Sequence, residues 1–375
     1  MASPVTLVIF EGGVGQSPLE ESFRRVRQGV VLDQIVKAQS AGIERIILCT
    51  PYPELAEAAS PFGVVVELEA PGRADGFHFG RRLKGVVDKG RLQKVLYMGG
   101  AAAPLISCTE IASICRLLEE HDEVVTANNF HSADLVGFSP GSILSQVKLP
   151  AIDNALPMAL VGDAGLRFIT LRRSIGLQFD LDTPGDLLVL SVHPAVGEYT
   201  RKQLQEIQFD TSRSSAVKRV INDPLGELIL CGRIGSPLFE YLDQQTRCRV
   251  RVYSEERGMK ALGRDEQGEV VSLIGSLLGT LGPTAFFQLL AEAADAAVLD
   301  TRVLFAHFRW VLSQSDRFNS DLGLTASIEH PGLRAFTDAA YRAPIPVLLG
   351  GHSLVTGGVW GLIDASVLER GAVDA

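Results

Sequence analysis

Cysteine is scarce in this sequence, which has five cysteines and no C-x-x-C pair. An odd number of scattered cysteines argues against a disulfide framework and against a zinc site built from paired thiolates, so we expect buried, reduced thiols. The sequence also contains no uninterrupted apolar stretch of about 18 residues, and no basic segment precedes its first apolar run. These absences favour a soluble, cytoplasmic protein without a membrane partner.

Positive charge is in deficit as well. Lysine and arginine together number 35, against 44 aspartates and glutamates, which gives a formal charge of -9 at pH 7 and a pI near 5.4. A chain with this balance is not expected to have a nucleic acid or an anionic membrane surface as its main partner.

What the sequence does contain is a long alternation of strand-like and helical patterns. Its 375 residues, 46% of them hydrophobic, exceed the size at which a single core stops growing. We expect an α/β domain at residues 1–195, a connection at 196–226, and a second, Rossmann-like α/β domain at 227–375. Helical patterns between apolar, β-branched runs predict parallel-rich sheets built from βαβ units. In the first half, we expect strands at residues 5–10, 43–50, 64–68, 94–98, 123–127, 135–138 and 167–171.

Residues 178–187 (QFDLDTPGDL) form the most informative segment. Apolar and acidic side chains alternate as in a strand, and Asp180 and Asp182 would then point to the same side. Two such carboxylates are suitable ligands for Mg²⁺, which also binds substrate phosphates. Alternatively, Asp182 or Thr183 caps a helix that begins at Pro184.

Two further segments contain candidate nucleotide contacts. The first apolar run ends in a loop that includes Gly12, Gly13 and Gly15, and such a loop lets backbone N–H groups approach phosphates. Arg24 follows on a helix and could supply charge to a triphosphate, or it could simply face solvent.

A polar cluster lies between the predicted strands at 123–127 and 135–138. In it, Asn128 and Asn129 could hydrogen-bond a base or a sugar, and Asp134 could bind a metal ion. Alternatively, the cluster is a turn whose Asn and Asp side chains bind their own backbone.

The segment FDLDTPGDL at residues 179–187 resembles "DIDTPEDL", found near the end of the nucleotidyltransferase domain in phospholactate guanylyltransferases and related molybdopterin-nucleotidyltransferase-like proteins. The first glycine loop is similar to their "AGGxGxRM" loop, although Gln16 replaces the arginine. The resemblance covers about the first half of the chain and implies the Rossmann-like GT-A fold. It also implies an NTP at the glycine loop, Mg²⁺ on the catalytic Asp180 and Asp182, and transfer of NMP to a small phosphorylated or carboxylated acceptor.

One departure from this family concerns its catalytic metal. The family has an aspartate in a "D-x-P-L" turn, whereas Ala101, Ala102 and Ala103 precede Pro104 here. Losing that carboxylate removes charge that binds Mg²⁺. Either another residue such as Asp134 holds the metal, or the protein binds a nucleotide or sugar phosphate without catalysing transfer.

The second half repeats the alternation, with strands expected at residues 228–231, 248–253, 301–306 and 346–349. Ligands bind outside the carboxyl ends of such strands. On that rule, a phosphate or other ligand would contact a set of residues in the loops that follow, namely Arg233, Glu255, Arg257, His307, Gly351 and Ser353.

Ser353 admits two interpretations. It could lie in a phosphate-binding glycine loop at a helix N-terminus, or it could be a hydrolase nucleophile with His307 and either Asp300 or Asp316. Val355 stands where the nucleophile elbow requires its second glycine, which favours the phosphate loop. Exposed edge strands in the two sheets also lead us to expect a homodimer.

Overall fold

The computed structural model describes residues 4–13, 17–69, 77–207, 209–260 and 262–373. The chain divides into two compact units. The first unit comprises Met1–Val14, Arg25–Gln178 and Gly197–Gln203; the second comprises Gly15–Arg24, Phe179–Val196 and Leu204–Ala375. Each unit contains a sheet and helices, which confirms the predicted α/β class.

The first unit is built on a seven-stranded sheet with the order β3-β2-β1-β4-β6-β5-β7. Neighbouring strands are parallel except that β6 is antiparallel to β4 and β5. The strands are β1 (Val5–Phe10), β2 (Arg45–Thr50), β3 (Val65–Leu68), β4 (Lys94–Gly99), β5 (Val124–Ala127), β6 (Leu135–Ser139) and β7 (Arg167–Phe168). The α-helices of this part of the chain are α1 (Pro18–Ser40), α2 (Pro53–Ala59), α3 (Phe79–Gly90), α4 (Cys108–Glu120), α5 (Leu156–Gly162) and α6 (Ile175–Gln178).

Both faces of this sheet are covered, which explains why its strands read as continuous apolar runs. In β1, Leu7 and Ile9 belong to one buried cluster, and Val8 belongs to another. Successive side chains of a strand point to opposite faces, so each face receives alternate residues of the run. The predicted parallel-rich sheet is therefore confirmed.

The second unit has a four-stranded, fully parallel sheet with the order β11-β10-β8-β9. Its strands are β8 (Glu227–Gly232), β9 (Arg249–Ser254), β10 (Ala296–Asp300) and β11 (Val347–Gly350). The remaining α-helices are α7 (Pro184–Leu190), α8 (Glu198–Ile207), α9 (Ser212–Asn222), α10 (Ser236–Gln245), α11 (Leu273–Leu281), α12 (Pro283–Ala293), α13 (Thr301–His307), α14 (Gln314–Asp321), α15 (Pro331–Tyr341) and α16 (Val359–Val373). A π-helical turn at Leu354–Gly358 precedes α16.

Two local predictions were wrong. Residues 301–306 form helix α13 because the Asp300 carboxylate accepts a hydrogen bond from Arg302 N and caps a helix there. Residues 179–183 are irregular rather than a strand. Helix α4 is capped by Ser107, which forms a reciprocal capping box with Glu110.

The five cysteines are free thiols, and all except Cys108 are buried. Within the described ranges, no single helix has the length and apolar character needed to cross a membrane. One bent pair, α11 with α12, meets those two criteria together, with an angle of 118° between its helices.

The cap of α4 provides a test of the fold. We expect Ser107→Ala to lower the free energy of unfolding by about 1 kcal/mol, because the Glu110 amide loses its partner. Thr109→Ala, at the exposed neighbouring hydroxyl, is the matched control and should cost less than about 0.5 kcal/mol. Urea unfolding midpoints measure both, and an equal loss in the two variants would contradict the assigned cap.

Candidate functional site

In the first unit, the strand order reverses between β1 and β4. Ligands of open α/β sheets bind at the carboxyl ends of strands where the order reverses. The loops that follow these two strands are in direct contact, because Gly100 N donates a hydrogen bond to Phe10 O at 2.8 Å. A Cβ atom on Gly100 would lie 2.1 Å from Glu11 Oε2, so this approach requires glycine.

Glu11 follows β1 and is only 2% exposed. Its carboxylate accepts two hydrogen bonds from the Arg27 guanidinium on α1, from Nε at 3.0 Å and from Nη2 at 2.9 Å. A bidentate pair of this kind compensates a buried charge and fixes the orientation of both groups. At the carboxyl end of β1 there is therefore a buried carboxylate whose negative charge is balanced by a partly exposed arginine.

Gly12 and Gly13 lie exposed in the same loop. Gly13 has φ 143°, a conformation that favours glycine, and Tyr52 Oη donates a hydrogen bond to its carbonyl oxygen. Gly15 lies outside the described residues. Arg24, the predicted triphosphate contact, forms an ion pair with Glu21 at 3.7 Å on the surface of α1.

The polar cluster between β5 and β6 forms a hydrogen-bonded turn. Asn128 Oδ1 accepts from Asp134 N at 3.1 Å and from Leu135 N at 3.2 Å, and Asn129 Oδ1 accepts from His131 N at 3.0 Å. These hydrogen bonds match the alternative interpretation, in which the Asn side chains accept hydrogen bonds from backbone N–H groups of their own turn. A nucleotide contact by Asn128 or Asn129 stays a prediction.

Asp134 lies beside the loop that follows β4, because Gly99 N donates to its carbonyl oxygen at 2.9 Å. The Tyr97 hydroxyl in β4 donates to Asp153 Oδ2 at 2.9 Å. Burial, followed by the charges of Asp153 and Asp134, raises the pKa of Tyr97. The negative charges of Asp134 and Asp153 thus affect the ionisation of Tyr97 near the end of β4. This end of the strand leads into the turn of Ala101, Ala102 and Ala103, called here the alanine turn.

The alanine turn itself is tightly held. Ala102 and Ala103 are buried, and Ala103 has φ 48°, in the left-handed region. The Gln34 side-chain amide on α1 donates to the carbonyl oxygens of Gly99 and Ala102. The turn keeps its shape through these bonds while presenting no carboxylate of its own.

In the second unit, the DTPGD part of the informative segment forms the start of α7. Thr183 is the N-cap and shares a capping box with Asp186. This confirms the alternative interpretation of the segment, in which Thr183 caps a helix beginning at Pro184. Asp180 is half-buried and Asp182 is exposed just before the cap, and their role as metal ligands stays a prediction.

Sequence reasoning missed Asp186, which is completely buried. Its Oδ2 atom accepts hydrogen bonds from Asp182 N, Thr183 N, Thr183 Oγ1 and, at 2.6 Å, from Ser353 Oγ. Burial, followed by the charge of Asp182, raises the pKa of Asp186 to about 8. The spacing T-P-x-D pointed to the capping box, but no sequence signal pointed to Ser353, which lies 167 residues further along the chain.

Two ion pairs occupy the carboxyl ends of β8 and β10. Arg233 donates to Asp300 through Nε at 2.6 Å and Nη2 at 3.1 Å, and Gly232, with φ 129°, lets the two strands approach there. Arg302 donates to both carboxylate oxygens of Asp321 at 2.6 Å. These guanidinium groups are therefore already bound to carboxylates.

Two other residues predicted for the second-unit ligand site, Glu255 and His307, hold the start of helix α11. Ser272 caps α11, and it donates from Oγ to Glu255 and from N to His307 Nδ1. Arg257 is exposed. Its Nη2 atom lies 3.7 Å from the position that a Cβ atom would have on Gly235, the residue before α10. Gly351 is buried beside Thr183 and Ser353.

The hydrogen bonds do not assemble a hydrolase triad. Ser353 donates to Asp186, His307 accepts from Ser272, and Asp300 is paired with Arg233. Among the described residues, no group of three or more His, Cys, Asp or Glu side chains is arranged to hold a metal ion.

Comparisons with known proteins return structures only. No family model and no curated protein matches the chain. Similar solved structures include a cytidylyltransferase from Leptospira borgpetersenii serovar Hardjo-bovis, with 14% identity, TM-score 0.39, and coverage of 55% of this chain and 93% of that one. A CMP:2-keto-3-deoxy-manno-octonic acid synthetase complexed with CTP has 15% identity and TM-score 0.33, and the match covers 45% of this chain and 90% of that one. A protein of Aquifex aeolicus VF5 has 14% identity and TM-score 0.36, and the match covers 48% of this chain and 94% of that one. With TM-scores below 0.5, these likenesses assign no function to the chain.

Substitutions at Asp186 test its role in the second unit. We expect Asp186→Ala to lower the free energy of unfolding by at least about 2 kcal/mol, because buried donors on Thr183 and Ser353 lose their acceptor. Asp186→Asn should cost less than about 1 kcal/mol, since a neutral amide oxygen can accept the same bonds. Ser353→Ala removes one donor and should fall between them. Urea unfolding measures all three, and equal losses for Ala and Asn would contradict the acceptor role.

Proposed function

We propose that this protein is a nucleotidyltransferase that binds an NTP at the carboxyl edge of the first unit's sheet. It would transfer an NMP moiety to a small phosphorylated or carboxylated acceptor. The observation that carries the proposal is the reversal of strand order between β1 and β4, with exposed glycines in the loop after β1 and a close contact between the two loops.

The loop after β1 supplies the groups that a phosphate chain needs. Gly12 and Gly13 are exposed and carry no side chain that would keep a phosphate from their backbone amides. Arg27 holds Glu11 in this loop through its two hydrogen bonds, and bound Mg²⁺ would supply the positive charge. Positioning and charge neutralisation by such groups make the main contribution to catalysis of phosphoryl and nucleotidyl transfer.

For Mg²⁺ at this edge, we propose the carboxylate of Asp134 as a ligand, together with phosphate oxygens; Asp180 and Asp182 stay predicted metal ligands of the second unit. The Asp134 side chain fits the ion because it is half-buried, so water and phosphate can complete the coordination. When bound, Mg²⁺ would neutralise charge on the phosphates.

The composition of the alanine turn favours a second candidate function. Ala102 and Ala103 are buried where the resemblance implies a catalytic carboxylate. A protein without that ligand could bind a nucleotide or sugar phosphate and not turn it over. Metal dependence separates the two functions, because transfer requires Mg²⁺ and releases pyrophosphate, whereas simple binding survives chelation.

Thermal shifts with each common NTP test the proposal. At a ligand concentration of 100 times its Kd, binding stabilises the native state by about 2.7 kcal/mol. We expect one NTP to raise the melting temperature with Mg²⁺ and to do so much less with EDTA, and we expect pyrophosphate release when an acceptor is present.

Matched variants locate the metal ligands. Asp134→Asn should reduce the Mg²⁺-dependent part of the shift while leaving the melting temperature without ligand nearly unchanged. Asp88→Asn, at an exposed carboxylate on α3, is the control. A shift equal with Mg²⁺ and EDTA would support the binding function, and no shift with any NTP would contradict both functions at this site.

A further inference from the structure

Strand β9 is an open edge of the second unit's sheet. Its six residues pair with β8 in one continuous parallel register, from Glu227 with Arg249 to Gly232 with Ser254. Proteins usually protect such edges with a proline, a lysine, a bulge or a very short strand. Strand β9 has no proline, lysine or bulge and is six residues long, and the charged side chains that it carries are those of Arg249 and Arg251.

The backbone of β9 offers hydrogen-bonding groups on its open side. Arg249 N donates to Gly226 O at 2.9 Å, and Glu255 N donates to Gly232 O at 3.0 Å, both towards β8. Since the N–H and C=O groups of successive strand residues point to opposite sides, the odd-numbered residues of β9 bind β8. The N–H and C=O groups of Val250 and Val252 therefore point away from the sheet.

The side chains of β9 form a basic stripe. Arg249, Arg251 and Tyr253 alternate along the strand and share one face, and they are 69%, 43% and 45% exposed. Arg247, two residues earlier, is exposed as well. The repeat of two residues is about 6.8 Å in a strand.

The positive charge of this stripe is only partly compensated. A single carboxylate, that of Glu227, is paired with both Arg249, at 3.7 Å, and Arg251. The excess of positive charge stands out on a chain with a formal charge of -9. It attracts a partner that is negatively charged at the same spacing.

We propose that β9 binds an extended acidic peptide segment of another protein, which adds to the sheet as a fifth strand. The backbone groups of Val250 and Val252 would pair with the peptide backbone, and acidic side chains at alternate positions would face Arg249 and Arg251. A peptide strand has the same two-residue repeat as β9, so each acidic side chain meets one arginine.

Two other occupants fit the surface less well. A second copy of the chain pairing through β9 would place arginines opposite arginines, and like charges in direct opposition destabilise a strand pair. A single-stranded nucleic acid would satisfy the arginines through its phosphates but would leave the open N–H and C=O row of β9 without the regular partners that a strand provides.

A labelled ten-residue peptide of alternating glutamate and threonine, titrated with the full chain in fluorescence anisotropy, tests the proposal. We expect salt-dependent binding that is lost when lysine replaces glutamate in the peptide. Arg249→Gln with Arg251→Gln should weaken binding by about fivefold to tenfold. A peptide methylated on alternate backbone nitrogens should also bind more weakly, because it cannot donate to β9.

Variants on the strand separate backbone pairing from simple charge attraction. Val252→Pro removes an outward amide without removing a bond to β8, a position at which edge strands tolerate proline. It should weaken binding, whereas Val252→Ala, the matched control, should not. Equal binding to both variants, or equally tight binding of a poly-uridine oligonucleotide of the same charge, would overturn the proposal. So would the absence of binding at millimolar peptide.

Discussion

Parallel strand pairing is the constraint on which both units depend. It brings the ends of several strands, and the loops that follow them, to one edge of each sheet. In the first unit, this places the glycine loop after β1 against Gly100, which follows β4. In the second unit, it places Arg233 after β8 against Asp300 at the end of β10. Residues far apart in sequence thus become neighbours through strand order alone, before any side-chain chemistry is considered.

Burial then decides what the charged residues at these edges do. A charge removed from water is costly unless it is paired and hydrogen-bonded. Glu11 is therefore bound by Arg27, and Arg302 by Asp321. Polar residues that follow a strand look like ligand-binding groups in a sequence, yet many of them stabilise the edge itself. Arg233, Glu255 and Ser353 were predicted as ligand contacts, and each has a buried or partly buried partner within its own unit.

The sequence predicts the parts of the fold that have a local period. Buried strands such as β1 and β8 are visible as apolar runs that include β-branched residues. Local patterns failed where two elements share an apolar run. The run through residues 296–306 contains both β10 and α13, and only the cap at Asp300 marks the change. Long-range partners such as Asp186 and Ser353 have no local signature at all.

Within the second unit, the ion pairs at the crevice and the arginines of β9 differ in how fully their charge is compensated. At the carboxyl end of the second sheet, the guanidinium groups of Arg233 and Arg302 each face a carboxylate, so these two groups have little attraction left for an added anion. Along β9, two exposed guanidinium groups share one carboxylate. Because electrostatic attraction for a partner depends on charge that is not already neutralised, Arg249 and Arg251 are better suited to attract an acidic partner than Arg233 and Arg302 are to bind a phosphate.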